Sequence, residues 1–129
     1  MSPILIVDTV AAIAILNGDE ALLTALPDVF QLLVPVIVQG ELLAGAHKSA
    51  KTDENLTRVR GFVRTRRVLY CNRTTARLYA QVSEQLRRKG RPIPMNDMWI
   101  AALTLQHNLP LLTRDTHFQH VDGLVTETW

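Results

Sequence analysis

Apolar residues in this chain form short unbroken runs separated by stretches of helical periodicity. Pro3 to Val7 is Ile, Leu and Val without alternation, the pattern of a strand covered on both faces in a parallel sheet, and it stops at Asp8. Thr9 offers an N-cap, and Ala11 to Leu16 predicts a buried apolar helix ended by Asn17-Gly18. Asp19-Glu20 opens a short helix through Leu26, Pro27-Asp28 breaks it, and Val29 to Val34 reads as a second strand. Pro35 starts a helix that runs through Glu41 to about Ala46. Leu56, Val59 and Val63, with Phe62 beside them, give Asp53 to Arg64 the spacing of an amphipathic helix, and Val68 to Cys71 follows as a third strand. Thr74 or Thr75 caps a helix striped by Leu78, Val82 and Leu86 and ended by Lys89-Gly90. After the rigid Pro92-Ile93-Pro94 loop, Asn96 to Gln106 reads as a helix buried through Trp99 and Ile100. Pro110 to Thr113 and Leu124 to Thr128 complete the strands. Strands alternating with helices predict an α/β fold with a parallel sheet and helices on both faces.

With 129 residues, 47% of them hydrophobic, the chain suits one domain, residues 1–129, with a real core. The lone Cys71 has no disulfide partner and, at the end of a strand predicted to be buried, reads as an inert core thiol in a reducing compartment. The apolar stretch from Ile4 to Leu16 has no basic residue before it and carries Asp8 in its middle, which argues against a signal peptide or membrane span and for a cytoplasmic protein. Net charge is only +2, but eleven basic residues against Glu84 alone give the segment Arg58–Arg91 a charge of +10, leaving −8 elsewhere. Such a tract suits a polyanion, though solvated helix faces would look the same from charge alone.

Four acidic residues sit in distinct local patterns: Asp8 after Ile4-Leu5-Ile6-Val7, Glu41 in Gly40-Glu41-Leu42-Leu43-Ala44-Gly45, Asp97 in Asn96-Asp97-Met98-Trp99, and Asp115 after Leu111-Leu112-Thr113-Arg114. In open α/β sheets ligands bind beyond the carboxyl ends of the strands, where Asp8 and Asp115 stand. Each has a structural explanation too, Asp8 as a helix cap and Asp115 as a turn residue. Glu41 projects from a small, apolar helix face formed with Ile37, Val38, Ala44 and Gly45, where a charge needs a partner. Asn96 and Asp97 open a helix, a position favourable to an amide or acid without any function.

If these carboxylates meet within roughly 5 Å, each pair repels by about 3 kcal/mol at an effective dielectric near 20. The cluster must then take up protons or a cation, and an all-oxygen donor set suits Mg2+ or Mn2+. Zinc is disfavoured, because His47, His107, His117 and His120 lack ligand spacing and Cys71 stands alone. Metal-assisted hydrolysis of a phosphodiester follows, with no side-chain nucleophile required. There is no Gly-rich phosphate loop, dinucleotide fingerprint or Gly-x-Ser-x-Gly elbow.

Over nearly its whole length, through these motifs and the closing Trp129, the chain resembles PIN-domain ribonucleases of the toxin half of VapBC-type toxin–antitoxin pairs. The resemblance implies an α/β/α sandwich around a parallel five-stranded sheet and a homodimer. It also implies Mg2+-dependent endonucleolytic cutting of RNA, with a cognate antitoxin covering the site. It assigns Asp8, Glu41, Asp97 and Asp115 as the metal-binding and catalytic quartet, with Thr9, Asn96 and Thr113 supporting it. Val10 departs from the polar residue common after Asp-Thr, and His117 stands where an acid is frequent, so metal affinity should differ from relatives; His117 reads as a surface or supporting residue.

Single-stranded or looped RNA is the favoured substrate, with phosphate contacts expected from Arg64, Arg67, Arg87 or Arg88. The alternative within the same fold is a catalytically weak RNA- or partner-binding module, against which retention of all the acids argues. A phosphotransfer receiver would need acids beside Asp8, an acceptor Asp where Tyr70-Cys71 ends the third strand, and a late Lys; a haloacid-type phosphatase would need Asp where Val10 stands.

Overall fold

The carboxyl ends of two adjacent central strands meet where their helical connections diverge, and this sets the position of the acidic residues. The computed structural model describes residues 1–129. Its elements are β1 (Ile4–Val7), α1 (Thr9–Leu16), α2 (Glu20–Ala25), β2 (Gln31–Pro35), α3 (Val36–Lys48), α4 (Thr52–Arg64) and β3 (Arg67–Leu69), continuing with α5 (Arg73–Lys89), α6 (Met95–His107), β4 (Leu111–Leu112), a 3-10 helix (Thr116–His120) and β5 (Thr126–Glu127). The five strands are all parallel in the order β3-β2-β1-β4-β5, as expected. From β1 the chain winds outward through β2 to β3, then returns to the other side of β1 for β4 and β5. The topological switch point therefore lies between β1 and β4.

Successive residues of a strand face opposite sides of a sheet, yet Leu5, Ile6 and Val7 are all buried, as are Leu32 to Val34 on β2. Both faces are thus covered, which is why these strands carry no polar alternation. The core joins strand residues to Val38 and Leu42 of α3, Val59 and Phe62 of α4, Val82 and Leu86 of α5, and Ile100 and Leu103 of α6. No helix is long and apolar enough to cross a membrane.

Several local expectations are corrected. The first helix is capped by Asp8, not Thr9, and only Ala11 and Ala12 of it are fully buried, with Val10 and Ile13 on the surface. The long α5 is capped by Asn72, whose side chain accepts from the Thr75 backbone while Thr75 answers to the Asn72 backbone, a reciprocal capping box. The third strand ends at Leu69, so Tyr70 and Cys71 leave the sheet and Cys71 is exposed, not a core thiol. Its partial burial still pushes its pKa up, which keeps the thiol protonated and poorly nucleophilic. Asn96 caps nothing: Pro94 occupies that position, and Asn96 lies exposed within the first turn of α6. Trp99 is half-buried and stacks on Tyr79, ring centroids 4.0 Å apart.

Candidate active site

Val7 and Leu112 are paired on neighbouring parallel strands, so the residues that follow them, Asp8 and Thr113, emerge side by side at the switch point. Asp8 is 4% and Thr113 3% exposed. A carboxylate so buried needs partners. Asp8 Oδ1 accepts from the Ala11 backbone N–H at 2.8 Å, which caps α1, and Oδ2 accepts from the Thr113 hydroxyl. The Thr113 hydroxyl oxygen in turn accepts from the Asp115 backbone N–H at 2.9 Å, tying the first acid to the segment that carries the fourth.

Glu41 arrives from α3, which packs against α1. Thr9 Oγ1 donates to Glu41 Oε1 at 2.8 Å, so the hydroxyl read both as a helix cap and as a support of the quartet orients a carboxylate across the helix pair. Asp97 enters from the first turn of α6 and Asp115 from the turn after β4, both half-buried. The Asp115 carboxylate accepts from the His117 backbone N–H at 2.9 Å and thereby opens the 3-10 helix.

The charges of the other three acids all reach the Asp97 carboxyl. The Asp97 carboxyl is pushed up to about 6, first by burial, then by the charges of Asp115 and Glu41 and, more weakly, Asp8; His117 opposes the rise. Asp8 is also raised, chiefly by burial, against the hydrogen bonds from Thr113 and Ala11, with Asp115 and Glu41 adding repulsion. Negative charge is therefore in excess at this point.

His117, a surface or supporting residue by sequence, joins this group. His117 Nδ1 lies 3.2 Å from Asp115 Oδ1 and 3.9 Å from Asp97 Oδ2. One donor atom each from Asp97, Asp115 and His117 falls within 4.8 Å of the others. The signals in the sequence are that His117 stands where an acid is frequent in the family it resembles and that it follows Asp115 by two residues, within reach of a side-chain-to-backbone turn. Excess charge on convergent carboxylates, with this donor set beside them, fits a divalent cation.

The basic residues are more dispersed. Arg87 and Arg88 both bind Glu84, and Lys89 near the end of α5 binds Asp122 and the His120 carbonyl, which brings that end of α5 next to the chain following Asp115. Arg58 donates to the Leu16 carbonyl at 2.7 Å at the end of α1, a structural use. Arg66 packs over the Phe62 ring at 4.2 Å. Arg64 and Arg67 are exposed. A groove of about 260 Å³ opens beside Glu41, lined by Ile13, Leu16, Leu42 and Val59 together with Asn17, Asn55 and Arg58.

The chain matches the family model of the PIN domain over residues 5–124. It is 32% identical to ribonuclease VapC5 of Mycobacterium tuberculosis over 92% of this chain and 87% of that one. It is 37% identical to the tRNA(fMet)-specific endonuclease VapC of Shigella flexneri over 69% of this chain and 68% of that one. Among solved structures it is similar to VapBC-5 from Mycobacterium tuberculosis, described as a member of the VapBC family of toxin-antitoxin systems, with a TM-score of 0.72, 29% identity and 98% coverage of both chains.

Proposed function

The chain belongs to the PIN-domain family, among the VapC ribonucleases, and from that premise we propose that it is a Mg2+-dependent endoribonuclease held in check by an antitoxin. What supports this reading is the Asp97 carboxyl, pushed up to about 6 first by burial and then by the charges of Asp115, Glu41 and Asp8, next to a switch point between β1 and β4 where Asp8 emerges. Asp8, Asp97 and Asp115 hold the cation, and Glu41 completes the quartet. A divalent cation supplies Lewis acidity toward water and the phosphoryl oxygens, which no side chain here can provide.

The remaining work belongs to the protein. Thr113 and Thr9 fix the Asp8 and Glu41 carboxylates, so the donor atoms are set before substrate arrives. In the hydrolysis, the water oxygen bonds to phosphorus as the opposite P–O bond breaks; the water proton passes to a carboxylate of the quartet, which returns it to the departing oxygen and is regenerated. Arg87 and Arg88, shared with Glu84, draw the RNA backbone toward the cleft, while the exposed Arg64 and Arg67, the latter near the His107 end of α6, meet RNA farther from it. Asn96, exposed beside Asp97, supports that rim. The VapBC likeness supports an antitoxin partner; a homodimeric assembly and action in the cytoplasm belong to the same proposal.

The test is cleavage of a looped RNA by the purified protein in Mg2+ and in excess chelator, with Asp97→Asn alongside. The expected result is cleavage only by the native chain with metal. Binding of RNA without any cleavage in either Mg2+ or Mn2+ would favour the non-catalytic binding module.

A further inference from the structure

We infer that His117 supplies an imidazole nitrogen, Nδ1, to the metal site and so makes the centre favour Mn2+ over Mg2+. The inference deepens the reading above and rests on it. Its ground is where the ring sits. The Asp115 carboxylate accepts from the His117 backbone, which fixes the start of the 3-10 helix and turns the imidazole toward the same carboxyl group. Nδ1 then stands 3.2 Å from one oxygen of Asp115 and 3.9 Å from one of Asp97. Ligands held about 2.1 Å from one ion lie about 3 Å apart when adjacent and about 4.2 Å when opposite. The two observed separations lie between those limits and all three donor atoms fall within 4.8 Å of one another, so a closing of a few tenths of an ångström would bring them to one cation.

Ligand chemistry gives the consequence. Mg2+ is a hard ion that takes oxygen and keeps its waters, whereas imidazole suits first-row transition ions. An acid in place of His117 would add a further negative charge to a cluster already in excess; a neutral imidazole adds a donor without one. The chain thus exchanges some attraction for Mg2+ for a bond that Mn2+ makes better. His47, His107 and His120 have no part in this cluster, so a nitrogen signal from bound metal is assignable.

The experiment uses the full chain and Mn2+ alone as the probe. Electron spin-echo measurements read nitrogen coupling to bound Mn2+, and titration with Mg2+ as competitor gives the affinity ratio, for the native chain, H117A, H117D and D8N. Circular dichroism checks that each variant is folded. Nitrogen modulation is expected in the native chain and not in H117A or H117D. H117A should weaken Mn2+ binding about 10-fold or more but Mg2+ binding by less than about threefold. Mn2+ bound without nitrogen coupling, coupling that persists in H117A, or equal loss of both ions would overturn the role of His117. In those cases the acidic centre stands as long as D8N still abolishes binding. A native chain that binds no Mn2+ would overturn the metal reading itself.

Discussion

Thr113 carries more of the site than its size suggests, since its one hydroxyl donates to Asp8 and accepts from the Asp115 backbone. Thr113→Val keeps the volume and removes both contacts, leaving a buried carboxylate short of a donor. It should cost about 1.5–3 kcal/mol by urea unfolding, with a further rise in the Asp8 pKa. Asp97 yields a pH prediction. Its folded pKa lies above the ordinary value of 3.8, at about 6, so the folded state binds its proton more tightly than the unfolded state. The metal-free protein should therefore lose stability as pH rises from about 4 to 6 and level off above that. After discounting for its partial exposure the loss is on the order of 1 kcal/mol. Thermal unfolding in chelator across that range checks the sign, and Asp97→Asn should flatten the slope. Saturating metal should remove the loss, because the cation competes with the proton. Asp8 and Asp115 were legible because each ends a strand-like run, and Glu41 because it interrupts an apolar helix face. Thr113 entered only through the family resemblance; its bond to Asp8 leaves no trace in the local pattern, since it depends on β1 lying beside β4 across more than a hundred residues of sequence.

At the scale of elements, continuous apolar runs and helical spacing marked every strand and α-helix, because burial on one or both faces leaves a periodic trace. Ends were less readable, for they depend on individual hydrogen bonds. Of the two caps the sequence allowed for α1, Asp8 and not Thr9 serves, and Asn72 takes the one expected of Thr74 or Thr75. Val29 and Phe30 stay outside β2 on the surface, and Cys71 lies beyond β3. The 3-10 helix that delivers His117 has no apolar period to detect; it forms around the Asp115 carboxylate. Asn72→Ala should lower stability by about 1 kcal/mol, read as a shift in urea midpoint. Its site lies at the far end of α5 from Lys89, so metal affinity should be unchanged.

For the whole molecule, charge is divided between an acidic cleft and a basic stretch of chain, but folding consumes part of the basic tract. Arg58 closes the end of α1, Arg66 covers Phe62, and Glu84 occupies Arg87 and Arg88. Arg64 and Arg67 remain the freest of the residues expected to meet RNA. Reversing both to Glu should weaken RNA binding and lower the slope of log affinity against log salt by about 0.7 per lost phosphate contact, with cleavage chemistry at saturation retained. Glu84→Gln, which releases Arg87 and Arg88, should act in the opposite direction, and filter binding across a salt series reads both. The central claim is that a cation held by the converging acids cuts RNA, and the direct measurement is sequencing of RNA fragment ends produced by native protein and Asp8→Asn, each with Mg2+ or with chelator. The account predicts defined new ends from the native protein in Mg2+, reduced on the order of 100-fold or more in Asp8→Asn and lost in chelator. The same ends appearing undiminished from folded Asp8→Asn, or from native protein stripped of metal, would contradict it.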